Sequence, residues 1–153
     1  DRYDLFDREE CEFFSKLKNK PENIFIHTNS SRTYDSYSWE LTKILINNRN
    51  KTNKILWDAV YLDGAHLFHI DGPAVIALKE MVEIGGYFIF DDMQWTLSSS
   101  PTCNTEKNKA LYSNEQFEYP HISLIVDAFI RDDKRFNEIT IEDKSRSIFK
   151  RIT

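Results

Sequence analysis

Short apolar runs alternate along this chain with stretches in which apolar residues recur every three or four positions. Residues 8–18, REECEFFSKLK, carry the helical spacing, and Pro21 stops them. Asn23 to Thr28, NIFIHT, is β-rich and bounded by Asn29, Ser30 and Ser31, which predicts a strand. A second helix is expected from about Asp35 to Asn48, with Trp39, Leu41, Ile44, Leu45 and Ile46 on its apolar side. After the polar loop NNRNKTN comes Ile55 to Leu62, ILWDAVYL, nearly continuous in apolar residues and so expected as a strand covered on both faces. It ends at Asp63-Gly64.

From His66 to Ile84 the apolar residues return to helical spacing, and Gly85-Gly86 reads as the helix C-terminal signal. Pro73 places the start of that helix at Asp71 as cap, with the proline in the first turn. Tyr87 to Phe90, YFIF, predicts another buried strand, again ending in acids, Asp91 and Asp92. Gln94 to Glu118 is rich in Ser, Thr, Asn and Lys and predicts a long surface loop, a candidate lid. A helix from about Pro120 to Arg131 and a hairpin, Asn137 to Ile141 turning through residues 142–145 into Ser147 to Ile152, follow. This alternation implies an α/β class with a mainly parallel sheet and an antiparallel C-terminal hairpin. In such sheets ligands bind beyond the carboxyl ends of the strands.

Length and charge narrow the picture. At 153 residues the chain is the size of one domain, and 41% hydrophobic with 14% aromatic residues excludes wholesale disorder. A net charge of -5 argues against a nucleic-acid surface built on bulk charge. No apolar run reaches the roughly 18 residues a membrane span needs, so neither a membrane nor a nucleic acid is expected as partner. Cys11 and Cys103 lie far apart without a C-x-x-C spacing, which reads as two free thiols and a reducing, cytoplasmic setting.

The strand ends carry the candidate chemistry. Asp63 on one strand and Asp91-Asp92 on its neighbour would bring three carboxylates to one edge, where a hard divalent cation relieves their repulsion. The alternative is that these acids cap the turns that follow, as Asp commonly does. His66, three residues after Asp63, is either a base or substrate contact, or a helix-start histidine bonded to a backbone carbonyl.

The stretch WDAVYLDGAH, then a helix, then EIGGYFIFDDM resembles strand four, helix and strand five of the class I S-adenosylmethionine-dependent methyltransferases. The resemblance spans most of the chain, but only Asp63 to Asp92 is specific. It implies a Rossmann-like sheet and a Mg²⁺ site at Asp63, Asp91 and Asp92, as in the metal-dependent O-methyltransferases. It further implies cofactor contacts from Asn29, Ser30 and Asp63, and, if this enzyme reading holds, His66 as the catalytic base or a substrate contact for a small hydroxylated molecule or sugar. Trp95 would wall the substrate or cofactor, or lie buried under the loop. One departure is large: the Gly-rich cofactor turn has no counterpart, since all four glycines fall between Gly64 and Gly86. The missing first strands are expected from an upstream segment or another chain; otherwise the fold is rearranged and does not bind the cofactor. Three functions therefore stay open: a Mg²⁺-assisted O-methyltransferase, a methyltransferase-fold interaction or scaffold module, and, more weakly, a metal-dependent hydrolase.

Overall fold

The computed structural model describes residues 36–52, 54 and 56–153. The expected helix at 8–18, the strand Asn23 to Thr28, and Asn29 and Ser30 lie outside the described residues. Among the described residues four strands form one sheet: β1 (Trp57–Leu62), β2 (Val82–Phe90), β3 (Phe136–Ile139) and β4 (Ser147–Arg151), in the order β1-β2-β4-β3. β1 and β2 are parallel, while β4 runs antiparallel to both β2 and β3. The expected α/β class and the antiparallel hairpin are thus both present. Helices α1 (Tyr37–Arg49), α2 (Phe68–Leu78) and α5 (His121–Val126) accompany the sheet, and α5 runs on through a π-helical turn over Asp127–Arg131.

The strand alternation decides which side is core. Val60 and Leu62 of β1, Phe88 and Phe90 of β2, and Phe149 of β4 are buried among Leu41 and Leu45 of α1, Val75 and Leu78 of α2, and Ile122 and Ile125 of α5. Phe88 and Phe90 stack at 4.3 Å between ring centroids, and Phe149 meets Phe90 edge-on. Among the described residues the core covers the face of β1 that carries Val60 and Leu62, while Ala59 and Tyr61 are exposed, where the apolar run suggested cover on both faces. Trp39, expected on the apolar side of its helix, is 66% exposed.

The region around the glycines departs most from expectation. α2 begins at Phe68, with Leu67 as its N-cap, so Asp71 lies in the first turn and Pro73 beyond it. The helix closes not at Gly85-Gly86 but at Leu78, where the Met81 N–H bonds back to the Leu78 carbonyl at 2.8 Å. Both glycines lie inside β2 and serve a bulge. Gly85 takes a φ of +88°, and a Cβ on Gly86 would stand 2.8 Å from the Asp58 carbonyl oxygen. The pairing with β1 accordingly shifts register between Trp57 and Ala59. Removing side chains at these two positions lets the backbones of β1 and β2 approach and sets the lengths at which both strands end.

The segment expected as a long loop is folded. It contains α3 (Glu106–Leu111) and α4 (Asn114–Glu118), each opened by a side-chain cap, Thr105 and Ser113. Leu97, Cys103 and Phe117 form a second small core there, with Leu67, Trp95 and Tyr112 packed against it. His121 ties this part to α2: its Nδ1 accepts from the Phe68 N–H at 3.2 Å and its Nε2 sits 2.7 Å from the Gln116 carbonyl oxygen. That pair of contacts needs the neutral ring with its proton on Nε2. No helix among the described residues is long and apolar enough to cross a membrane.

Candidate functional site

The parallel pairing of β1 and β2 brings their carboxyl ends together. The Asp91 N–H donates to the Leu62 carbonyl at 3.0 Å, which fixes the chain just after β2 beside the chain just after β1. Two left-handed residues follow: His66 (φ +57°) after β1 and Asp92 (φ +53°) after β2 are the non-glycine positions with positive φ among the described residues. This conformation costs on the order of 1 kcal/mol or more for a residue with a Cβ, and such strain gathers at functional sites. Here the two strained residues face each other.

His66 Nε2 lies 3.0 Å from Asp92 Oδ2 and 3.3 Å from Asp63 Oδ1. Neither contact has hydrogen-bond geometry, and both ring nitrogens are buried without a hydrogen-bond partner among the described residues. The His66 side chain is 13% exposed, whereas the Asp63 and Asp92 carboxylates are 50% and 43% exposed and open to solvent. Burial works against a charged imidazole, but the Asp63, Asp92 and Asp71 carboxylates outweigh it and hold His66 above its ordinary value. The indole of Trp95 lies 5.0 Å from the imidazole, centroid to centroid, and the turn that carries it is closed by the Trp95 N–H on the Asp92 carbonyl. Trp95 therefore walls the site and packs under the folded segment at once.

One donor atom from each of Asp63, His66 and Asp92 can be chosen so that all lie within 4.8 Å of one another. A cation bonded at about 2.1 Å to oxygen or nitrogen needs neighbouring donors about 3 Å apart and opposite ones about 4 Å apart. The separations of His66 Nε2 from the two carboxylates, 3.0 and 3.3 Å, are those of neighbouring donors, and neither ring nitrogen is hydrogen-bonded among the described residues.

Asp91 stands apart. Its carboxylate accepts from the Tyr61 hydroxyl, from Arg146 Nε at 3.1 Å and Nη2 at 3.3 Å, and from the Asp92 N–H at 3.0 Å. Partial burial works against its charge, yet the bonds from Tyr61 and Arg146 outweigh this and lower its pKa. Tyr61 is pushed the other way, up to about 12, by partial burial and by its bond to the charged Asp91. Of the three acids expected to gather, the structure joins Asp63 and Asp92 to His66 and gives Asp91 to an arginine from the β3–β4 connection.

Three contributors were not legible beforehand. Arg146 comes from a hairpin turn, and only the β2–β4 pairing brings it 55 positions back to Asp91. Tyr61 reads as one more apolar residue of β1. Asp71 reads as a helix cap, whereas it is a fully buried carboxylate beneath the loop that carries Asp63 and His66. Its signal is an acid inside an otherwise apolar helical face.

No known family profile matches the chain, and no curated protein does. Among solved structures it is similar to MycE methyltransferase from the mycinamycin biosynthetic pathway, in complex with Mg and SAH, at 18% identity and a TM-score of 0.44. A second structure of that protein, with Mg, SAH and mycinamycin VI, matches at 16% identity and the same TM-score. The match covers 75% of this chain but only 29% and 30% of those chains. So little shared length adds no weight of its own, and the site's geometry carries the functional reading.

Proposed function

We propose that this chain carries the metal-binding side of a methyltransferase active site, acting in Mg²⁺-assisted O-methylation of a small hydroxylated molecule or sugar with S-adenosylmethionine as methyl donor. The observation that carries this is the convergence of Asp63, His66 and Asp92 at the carboxyl ends of two adjacent parallel strands, with the imidazole buried and without a hydrogen bond among the described residues. The D-G-A-H and D-D segments that resemble the methyltransferase pattern are the two segments that converge.

Asp63 and Asp92 would hold the ion, and His66 stands between them. Bound Mg²⁺ would supply charge that lowers the pKa of a substrate hydroxyl. With the charge of both acids taken up by the ion, His66 would be held less strongly in its charged form and would take the released proton at Nε2, the nitrogen that faces both acids. Trp95 keeps water from one side of the ring. Asp91, held by Tyr61 and Arg146, fixes the end of β2 and so the placement of Asp92.

The described residues show no cradle for the cofactor's amino-acid part. Gly64 lies over Asp71, and Gly85 and Gly86 serve the bulge of β2. No step is therefore assigned to residues around S-adenosylmethionine; Asn29, Ser30 and Asp63 remain the proposed contacts. The same observation favours a second reading, a methyltransferase-fold module that binds metal or a partner without transferring a methyl group.

Calorimetric titration with S-adenosylmethionine, with and without Mg²⁺, separates these. Mg²⁺ binding that Asp63→Asn and Asp92→Asn abolish, together with cofactor binding, is the expected outcome. Absence of Mg²⁺ binding sinks the metal site. Mg²⁺ binding without cofactor binding leaves the second reading.

A further inference from the structure

The loop after β1 is short, carries two of the three site residues, and contains a left-handed His66. Something must hold it. Asp71, with no exposed surface, lies directly beneath. One of its carboxylate oxygens accepts from the Leu67 N–H at 2.9 Å and the other from the Tyr37 hydroxyl. The same Tyr37 oxygen accepts from the Ala65 N–H at 3.1 Å. The backbone is thus held by its N–H groups immediately before and immediately after His66. Tyr37 comes from the first turn of α1 and Asp71 from the first turn of α2.

Gly64 belongs to the same arrangement. A Cβ there would overlap both the Asp71 carboxylate and the Tyr37 hydroxyl, so the glycine after Asp63 is required by this pair. A buried carboxylate is costly to retain, and burial pushes the pKa of Asp71 up. A simple helix cap could lie at the surface, as those of Thr105 and Ser113 do.

The geometry points to Tyr37 and Asp71 as a positioning pair: together they clamp Ala65 and Leu67 and so hold His66 between Asp63 and Asp92. This rests on the metal reading proposed above for its consequence, though not for the clamp itself. Supporting groups around a metal site typically change affinity by about 10- to 100-fold when removed.

The test uses Tyr37→Phe, Asp71→Asn and their double variant, with two measurements. The first is amide hydrogen exchange by NMR. In wild type the Ala65 and Leu67 amides are protected. Tyr37→Phe speeds exchange at Ala65 by tenfold or more and leaves Phe88 in β2 unchanged. The second is calorimetric titration with Mg²⁺ alone. Each variant binds roughly 10-fold more weakly or worse, and the double variant falls short of the product of the two, because the pair acts as one unit. A plain capping role would lower the melting temperature and leave the Mg²⁺ affinity of the folded protein unchanged. Affinities within twofold of wild type, or unchanged exchange at Ala65 in Tyr37→Phe, overturn the inference. If wild type binds no Mg²⁺, the metal reading falls, and the exchange measurement alone still decides whether the pair holds the loop.

Discussion

Two charged clusters occupy opposite ends of the sheet, and they are built on opposite principles. At the far end Arg135 joins Glu80 through two bonds, Nη1 to Oε2 at 2.9 Å and Nη2 to Oε1 at 2.8 Å. It also bonds Asp133, which Lys79 approaches at 3.3 Å. Two cations face two acids, and both carboxylates are held below their ordinary values, chiefly by the hydrogen bonds from Arg135. At the strand carboxyl ends Asp63 and Asp92 have one buried imidazole between them, on left-handed backbone and without hydrogen-bond geometry. The first cluster satisfies its charges and staples α2 to the turn before β3. The second leaves them available. Charge alone therefore does not mark a candidate site; charge left without hydrogen bonds on left-handed backbone is the better pointer.

The sharpest way to break this contrast is to remove the acids. Asp63→Ala combined with Asp92→Ala should erase Mg²⁺-dependent stabilisation, worth about 2.7 kcal/mol at a hundredfold excess over Kd. That corresponds to a shift of roughly 5 to 10 °C in Tm for a chain this size. In metal-free buffer the same variant should lose only about 1 kcal/mol, because Ala fits the left-handed backbone at position 92 less well than Asp and His66 loses both acids. A large loss of stability without metal, seen by thermal melts, would make these acids structural after all.

Arg135→Met should do the reverse. It leaves Glu80 and Asp133 partly buried without their main partner, and about 1–3 kcal/mol of stability should be lost in denaturant titration. Mg²⁺ binding should stay at the wild-type value. The two substitutions together should add, since the clusters share no partner.

The difference also has a pH signature. Glu80 and Asp133 have folded-state pKa values depressed from ordinary values of 4.5 and 3.8. Their contribution is therefore complete above those ordinary values and is lost as pH falls through the depressed ones. Wild type should lose stability progressively below about pH 4.5, and Arg135→Met should show a shallower acid slope in melts between pH 5 and 2. An unchanged slope would show that other carboxylates govern acid unfolding.

Much of this was legible from local pattern. β1, β2, the hairpin and three of the helices follow from apolar periodicity, and the acids at the ends of β1 and β2 are visible as residues. What stayed hidden depends on tertiary geometry. The glycines at 85 and 86 have the chemistry of a helix terminus and equally of a strand bulge, and only the pairing of β1 with β2 decides between them. Residues 94–118 lack periodicity because their small core is gathered from Leu97 and Cys103 in two separate turns and from Phe117 in α4. The sorting of Asp91 from Asp92 turns on a single backbone conformation: adjacent residues, one left-handed, send their carboxylates to different partners.

That sorting yields the smallest and most discriminating effect. Asp91 already spends its charge on Arg146 and Tyr61, so Asp91→Asn should remove a neighbouring negative charge without removing a donor. Screened by Arg146, the change in Mg²⁺ binding should be about fivefold, near 1 kcal/mol, far less than for Asp92→Asn. The Tyr61 hydroxyl, freed of its charged acceptor, should titrate lower than about 12, which ultraviolet absorbance can follow. If Asp91→Asn instead abolishes Mg²⁺ binding as fully as Asp92→Asn, then Asp91 leaves Tyr61 and Arg146 when the ion arrives. The site would then use all three acids, and Arg146 would be a counter-ion displaced by the metal instead of a fixed part of the strand end.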